Sequence, residues 1–299
     1  IVFLTDVRSQ QQCSTCPVTP VLAVDAMENA ILRLYGPQGG DQVSPNRMNS
    51  YAFSELSSLL DGNSGTSFEG NIRSADWIII SMLEADSGQS GLTLLRRFLS
   101  ERQDILRDKR IVVFAFGAPY YLDATDISKL TAYYGLYSMA PPFVDVAARL
   151  LFQELSPRGA LPVSVSGIGY DLFSATFPDP AQVIQLYLDA PTAPAGTAAP
   201  TTPEPSPTPV YRIGDAITVR TGVILDHNQH QVPDGTGVHF VLSMSGDGMV
   251  VQQVDAQTVQ GVARASFNID RSGLLEIRAT SEPATTSVIL QLDVSGEGG

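Results

Sequence analysis

Hydrophobic positions follow two different patterns along the chain, and the change lies near residue 190. Before it, short continuous apolar runs such as Ile111–Phe116 alternate with stretches in which apolar residues recur at helical spacing. After it, apolar and polar residues alternate one by one, as they do from Val238 to Leu242. Continuous runs are typical of strands buried on both faces, whereas alternation is typical of strands buried on one face. The pattern therefore predicts an α/β domain followed by an all-β domain.

The first part of the chain is predicted to be an open, mostly parallel α/β sandwich domain over residues 1–190. Strands are predicted at residues 1–6, 75–81, 111–116, 131–138, 161–165 and 183–188. Helices are predicted at residues 19–35, 50–60, 92–99 and 143–154. Thr19 and Ser50 are expected to cap the first two helices, because their hydroxyls accept hydrogen bonds from free backbone N–H groups. Such alternation of strands and helices is typical of an open sheet covered by helices.

The last part, residues 210–299, is predicted to be an immunoglobulin-type β-sandwich. Short alternating segments lie at residues 217–219, 223–225, 238–242, 262–269, 275–279 and 288–292. Turn sequences such as Pro233-Asp234-Gly235 separate them, as expected of short antiparallel strands. Residues 191–209, which precede this part, carry seven prolines among Thr, Ala and Ser. That composition predicts a semi-rigid, Pro/Thr-rich linker, of the kind found in exported multidomain proteins.

The charge of the chain limits its partners. With 18 Lys and Arg against 31 Asp and Glu, the 299 residues carry a net charge of −13 at pH 7. A phosphate backbone is repelled by this charge, so nucleic acid is not expected as a partner. No apolar run approaches the length of about 18 residues that spans a bilayer, so no membrane span is expected. Ile1 already lies in a predicted strand, and we therefore expect a fragment or processed form with a preceding region.

A series of landmarks runs in order from Lys109 to Val165. They are the strand 111–116, Gly117-Ala118-Pro119-Tyr120, the tyrosine-rich segment 131–138, the helix 143–154 that ends in Glu154, and Ser156-Pro157-Arg158-Gly159-Ala160-Leu161-Pro162-Val163-Ser164. This order resembles the C-terminal α/β domain of glycoside hydrolase family 3, especially its β-N-acetylhexosaminidase-like branch. The resemblance covers residues 1–175 loosely and residues 109–165 well.

The resemblance implies that catalysis takes place outside this chain. In the family the nucleophilic aspartate lies on a preceding (β/α)8 barrel, and in this branch the acid/base is often a histidine on the same barrel. No histidine precedes His227, and neither barrel motif is in the sequence. The missing N-terminal barrel of the same protein is therefore an expected partner, and an oligo- or polysaccharide is the expected substrate.

Four acidic residues follow predicted strand ends: Asp6, Glu84, Asp86 and Asp123. Ligands of open α/β sheets bind beyond the carboxyl ends of strands, so this location suits a site. In some family members the α/β domain supplies an acid/base glutamate from a loop over the barrel, which makes Glu84 the catalytic candidate and Asp86 a substrate-binding candidate. The alternative is that all four are solvated loop carboxylates or helix caps.

Tyrosines around the landmark stretch are a second set of candidates. Tyr120 and Tyr134 are candidate substrate-binding residues, because aromatic rings stack on sugars. The alternative for these rings is packing at strand edges and at a domain interface.

The two cysteines, Cys13 and Cys16, form a Cys-Ser-Thr-Cys sequence. A redox pair, half of a zinc site, a short-loop disulfide and two free thiols are all compatible with this spacing. A zinc site needs two more ligands, and no second cysteine pair exists, so the structural interpretations are favoured. His227-Asn228-Gln229-His230 is predicted to be a turn. Neither a metal nor a cofactor is expected.

The second domain carries a resemblance of its own. The segment Val232-Pro233-Asp234-Gly235-Thr236-Gly237-Val238-His239-Phe240 resembles the bacterial invasin-type Ig-like repeat, and this resemblance covers residues 210–295. The leading interpretation is therefore a C-terminal accessory portion of an exported family 3 glycoside hydrolase, at a bacterial cell surface or outside the cell. The alternative is a non-catalytic surface, adhesion or carbohydrate-binding scaffold. A flavodoxin-like nucleotide binder is disfavoured, because the sequence has no phosphate-binding loop.

Overall fold

The structure, a computed structural model, describes residues 1–11, 13–63, 65–83, 90–189, 211–246 and 248–295. The chain divides into two units. The first consists of Ile1–Gly159 with Val165–Tyr170, and the second of Ala160–Ser164 with Asp171–Gly299. Among the described residues, no helix has the length and apolar character needed to cross a membrane.

The first unit is built on a five-stranded parallel sheet. The strands of this sheet are β1 (Val2–Thr5), β4 (Asn49–Ala52), β5 (Trp77–Met82), β6 (Arg110–Ala115) and β7 (Ala132–Gly135). The strands β2 (Ser9–Gln10) and β3 (Thr19–Pro20) form a small antiparallel hairpin outside it. The order across the sheet is β4-β1-β5-β6-β7, and every neighbouring pair is parallel. Counting these five strands along the chain gives the order 2-1-3-4-5, that of doubly wound sheets of the flavodoxin type.

Helices cover both faces of this sheet. They are α1 (Ala26–Tyr35), α2 (Phe53–Leu60), α3 (Thr66–Ser74), α4 (Ser90–Glu101), α5 (Gln103–Leu106), α6 (Ala124–Ile127) and α7 (Pro141–Leu151). On β1, Val2 and Leu4 belong to the core formed with α2, α3 and α4, whereas Phe3 belongs to the core formed with α1 and α7. Both faces of the strand are buried, and this explains why its sequence is a continuous apolar run.

Three predictions for the first unit are wrong in detail. The first helix begins at Ala26, because Thr19 and Pro20 pair with Ser9–Gln10 as a hairpin. Residues 49–52, which were expected to hold a helix cap, form the edge strand β4, and the helix starts at Phe53. No strand forms at 161–165, where Val165 makes only an isolated bridge with Tyr170.

The second unit contains two sheets and one short helix. Its elements are α8 (Leu172–Ala175), β8 (Leu186–Leu188), β9 (Tyr211–Arg212), β10 (Ala216–Thr221), β11 (Gly237–Met244), β12 (Val250–Gln257), β13 (Arg264–Asn268), β14 (Gly273–Thr280) and β15 (Leu290–Ser295). One sheet has the antiparallel order β13-β10-β8. The other has the order β12-β11-β14-β15-β9, antiparallel except for the β15–β9 pair. Both sheets contribute to one hydrophobic core, which includes Val219, Phe240 and Phe267.

The division of the chain differs from the predicted one. The strand expected at 183–188 exists as β8, but it pairs with β10 of the second unit. Residues 171–189 therefore belong with the β-sheets and not with the α/β unit. Strand β12 was not predicted, and residues 223–225 contribute an isolated bridge between Leu225 and Gln231. The predicted linker, residues 191–209, lies outside the described residues.

Candidate functional site

Ligands of open α/β sheets bind at the carboxyl edge of the sheet, where the loops after β1, β5, β6 and β7 lie. Strands β4 and β5 lie on opposite sides of β1, so the connections that follow β1 and β5 leave the sheet in different directions. In doubly wound sheets a crevice opens at this point, and ligands bind there. Thr5 and Asp6 come from the end of β1, and the backbone N–H of Asp6 donates to the carbonyl oxygen of Ser81 on β5 at 2.9 Å.

Asp6 is a buried carboxylate with close neighbours. Only 7% of the residue is exposed, and its Oδ2 lies 3.1 Å from Nη2 of Arg8. A Cβ added to Gly91, in the first turn of α4, would lie 3.0 Å from the same oxygen. The start of a helix favours a negative charge beside it, as does the guanidinium group of Arg8. The Asp6 carboxylate therefore lies against the start of α4 and is paired with Arg8.

Glu84 and Asp86 lie outside the described residues. In the sequence they connect the carboxyl end of β5, which ends at Met82, to α4, which begins at Ser90. Their assignment as catalytic and substrate-binding candidates stays a prediction.

The two tyrosine candidates have different surroundings. Tyr134, on β7, is half-buried and stacks on Phe114, with ring centroids 5.3 Å apart and planes 16° apart. This packing agrees with the alternative that sequence reasoning left open. Tyr120 follows the turn after β6, and its ring centroid lies 6.1 Å from that of Tyr137. Tyr137 is 46% exposed and has a left-handed backbone at φ 58°. Tyr120 and Tyr137 are thus an aromatic pair at the carboxyl edge.

Pro119 and Gly135 show why the landmark stretch needs these residue types. A Cβ added to Gly135, at the end of β7, would lie 2.6 Å from Cγ of Pro119. The turn after β6 therefore lies directly against β7, at a distance that only glycine permits. Sequence reasoning identified both residues as landmarks but could not show that they are in contact.

Asp123 is a helix cap. Its carboxylate accepts a hydrogen bond from the backbone N–H of Asp126 at 2.9 Å, at the start of α6. Asp126 in turn pairs with Arg96 at 2.8 Å, and Arg96 also donates to the carbonyl oxygen of Tyr121. The cap interpretation thus accounts for Asp123 without any catalytic role.

The cysteine pair and the segment 227–230 both lie outside helices and strands. Cys13 and Cys16 form a disulfide in the loop between β2 and β3, with Cα atoms 5.0 Å apart. The turn predicted at 227–230 is present, because Oδ1 of Asp226 accepts from the backbone N–H groups of Asn228 and His230 at 2.8 and 2.9 Å. In the part of the chain that the structure describes, no cluster of His, Cys, Asp and Glu is arranged to hold a metal ion.

Sequence reasoning missed a groove of about 830 Å³ in the second unit. His239 on β11 lies directly opposite Asp255 on β12, and Nδ1 of His239 is 2.6 Å from Oδ1 of Asp255. Phe177 and Glu282 also line the groove. A histidine at an outward position of an alternating strand was the only signal in the sequence, because its partner lies on a strand that was not predicted.

Comparisons with known proteins give little information on this chain. No protein-family model matches it, and no curated protein matches it. Similar solved structures include trypsin-activated alpha-2-macroglobulin from Escherichia coli, with 18% identity and a TM-score of 0.27 over 42% of this chain and 7% of that one. An engineered protein has 13% identity and a TM-score of 0.22 over 75% of this chain and 49% of that one. The chain thus spans less than half the length of either structure, and at these TM-scores neither likeness informs the fold or the function.

Proposed function

We propose that this chain is a C-terminal accessory portion of an exported family 3 glycoside hydrolase, of the β-N-acetylhexosaminidase-like kind. Its α/β unit would support a catalytic (β/α)8 barrel formed by other residues of the same protein. The observation that carries the proposal is the ordered series of landmarks from Lys109 to Val165, including Gly117-Ala118-Pro119-Tyr120 and the helix that leads to Glu154.

Contacts among the landmarks support the proposal. Pro119 of the turn packs on Gly135 of β7. Glu154, just past α7, accepts a hydrogen bond from Tyr35 of α1 at 2.5 Å and pairs with Arg149 at 2.8 Å. The turn after β6 and the residue after α7 thus each contact a neighbouring element of the α/β unit, as a supporting scaffold requires.

The chemistry of the carboxyl edge also favours an accessory role. A retaining glycosidase needs a nucleophilic carboxylate and an acid/base with carboxyl groups about 5–5.5 Å apart. Asp6 is paired with Arg8, and Asp123 caps a helix. The described carboxylates after the strand ends are thus occupied by structural contacts. The barrel would supply both catalytic groups, and the carboxyl edge, with Glu84, Asp86 and Tyr120, would border its active site.

The second unit completes the proposal. Its alternating strands and the resemblance of residues 232–240 favour an Ig-like module that holds the enzyme at a surface or contacts polysaccharide. The Cys13–Cys16 disulfide is compatible with export, since disulfides persist in oxidising compartments.

The test is to express the full reading frame that encodes this chain and compare it with residues 1–299 alone. Aryl N-acetylglucosaminides and aryl glucosides are the substrates. We expect hydrolysis only by the full protein, and the preferred sugar identifies the branch. Hydrolysis by residues 1–299 that is lost in the Glu84→Gln variant would instead place the catalytic machinery within this chain.

A second candidate function is a non-catalytic surface or adhesion scaffold. The groove beside His239 and Asp255 is the observation behind it, because a non-catalytic scaffold needs a surface on which its ligand can lie. Absence of hydrolysis by the full protein, with retention on a polysaccharide matrix, would select this candidate over the hydrolase.

A further inference from the structure

The groove in the second unit is lined by one aromatic ring and by several polar side chains. We propose that it binds a neutral oligosaccharide chain, through an aromatic wall at Phe177 and a polar wall formed by His239, Asp255, Gln257 and Glu282. Its volume of about 830 Å³ lies within the range of about 300–1,000 Å³ that is usual for ligand sites.

Strand register explains how the polar wall forms. His239 on β11 is paired with Asp255 on β12 and with Thr280 on β14, so the three residues form a row across the sheet. Val238 and Phe240, the neighbours of His239 along β11, are buried in the core. Since side chains alternate between the two faces of a strand, the row lies on the outer face of the five-stranded sheet.

Gly237 forms the floor of the groove. It pairs with Gln257 at the start of β11, and a Cβ placed on it would meet no atom within 4 Å. Its backbone is not in the left-handed region, so the turn geometry does not require glycine there. The absence of a side chain leaves open space between the row of His239 and the end of the sheet. A larger side chain at this position would fill the groove without disturbing the core.

The segment that carries the aromatic wall is fixed by backbone contacts with residues 225–226. Phe177 is 41% exposed and meets Phe173, which is 71% exposed, edge to face at 4.8 Å between ring centroids. The next residue, Pro178, is buried and bridges to Asp226, and the backbone N–H of Asp179 donates to the carbonyl oxygen of Leu225 at 2.9 Å. An exposed aromatic ring on an anchored segment can stack on the apolar face of a sugar at little entropic cost.

The polar groups favour a ligand rich in hydroxyls over an anionic one. The His239–Asp255 contact holds both side chains, and among the described contacts Nε2 of His239 and Oδ2 of Asp255 make no further hydrogen bond. The Glu282 carboxylate has no ion-pair partner in the described part of the chain. A carboxylate accepts hydrogen bonds from hydroxyls, and an imidazole nitrogen can donate to or accept from them. No Lys or Arg is among the described lining residues, so an acidic polysaccharide would find no counter-charge.

This inference deepens the proposed function, on which it rests for the choice of saccharide probes. The hydrolase proposal and the groove proposal can be refuted separately. Hydrolysis by the full protein tests the barrel, whereas the groove is tested by binding to residues 1–299, which need no barrel for it. A full protein without hydrolytic activity whose second unit binds sugar would refute the hydrolase and leave the groove assignment intact.

The experiment measures binding of residues 1–299 to three hexasaccharides by calorimetry and by NMR shift mapping. The probes are β-1,4-linked hexamers of N-acetylglucosamine, of glucose and of glucosamine. We expect at least one neutral hexamer to bind and to shift the amide signals of residues 237–239 and 255–257. Phe177→Ala and Gly237→Leu should each weaken that binding at least tenfold, the first by removing the stacking surface and the second by filling the floor.

Two matched controls separate the groove from general effects. Gln253→Leu places the same leucine on the outer face of β12, outside the groove, and Phe143→Ala removes an exposed ring from the first unit. Both should bind as the unaltered chain does, with unchanged melting temperatures in all four variants. If neither neutral hexamer binds at millimolar concentration, or if only the cationic glucosamine hexamer binds and salt abolishes it, the assignment of a neutral saccharide is wrong.

Discussion

Replacing Gly135 by alanine tests whether the turn after β6 really lies against β7. The new Cβ would stand 2.6 Å from Cγ, 3.2 Å from Cβ and 3.3 Å from Cδ of Pro119. Pro119 is buried, so its ring cannot move away without disturbing the residues around it. Gly135 is not in the left-handed region, and backbone strain therefore does not contribute. The whole cost comes from the lack of space.

The size of this effect follows from the overlap. Overpacking of this kind costs about 1–3 kcal/mol. Alanine also restricts the unfolded chain, which stabilises the folded state by about 0.4–1 kcal/mol where space is free. Gly159→Ala is the matched control, because its added Cβ meets nothing within 4 Å. We expect Gly135→Ala to be less stable than Gly159→Ala by about 1–3 kcal/mol. For a unit of this size that corresponds to about 2–4 °C in melting temperature per kcal/mol.

The assay is thermal unfolding followed by circular dichroism in the helix band. Helices α1 to α7 all belong to the first unit, whereas the second has only α8, so the signal reports mainly on the first. Pro119→Ala removes Cγ and Cδ, and Gly135→Ala should cost less in that background; a double-mutant cycle gives the coupling directly. Equal stabilities of Gly135→Ala and Gly159→Ala, or a cycle without coupling, would refute the contact.

Three further predictions concern ionisation and a turn. Hydrogen bonds from Arg102, and also from Arg73, hold the pKa of Asp104 at about 2. This carboxylate therefore stabilises the folded chain above its unfolded pKa of 3.8, and the contribution is lost as the pH falls through about 2. An NMR titration should show that Arg102→Gln raises the pKa of Asp104. Burial, together with the hydrogen bond to Glu154, raises the pKa of Tyr35 to about 12, so its contribution is complete below pH 10 and is lost as the pH rises through 12. The phenolate absorbance that appears near pH 12 should be smaller in Tyr35→Phe by the share of one tyrosine. Asp226→Ala should destabilise the second unit by about 1–3 kcal/mol, because two backbone N–H groups lose their acceptor, and amide exchange at residues 228 and 230 should accelerate.

The central strands could be predicted because burial acts on both of their faces. Strands β1, β5 and β6 lie inside the sheet, and each is a continuous apolar run. The edge strand β4 is half-buried, and its sequence Asn-Ser-Tyr-Ala has neither an apolar run nor an alternation. Thr19-Pro20 has the composition of a helix start, but pairing with Ser9–Gln10 overrides that local preference. Local propensity is a weak guide wherever a distant segment offers hydrogen bonds.

The candidate sites depend on contacts that no local pattern records. Asp6 was identified as a carboxylate after a strand, but its role follows from Arg8 and from the approach of Gly91, which lies far along the chain. The groove of the second unit combines Phe177 with His239 and residues of β12. Strand β12 was missed because it lies at the edge of its sheet and carries glutamines and an aspartate, which obscure the alternation. The sequence thus identified candidate residues by their type, whereas the residues that contact them could be identified only from the fold.

The pairing of β8 with β10 changes the meaning of the proline-rich stretch at 191–209. Residues before that stretch supply β8, with Ile184 and Leu186 in the hydrophobic core of the second unit, and residues after it supply β10. Proteolysis within the stretch would therefore not release two independent domains. The nicked pieces would stay associated by strand complementation, as in complexes where one chain completes the sheet of another. Recombination at the same point would separate a sheet from one of its own strands, so exchange of this module between proteins requires a junction nearer to residue 170.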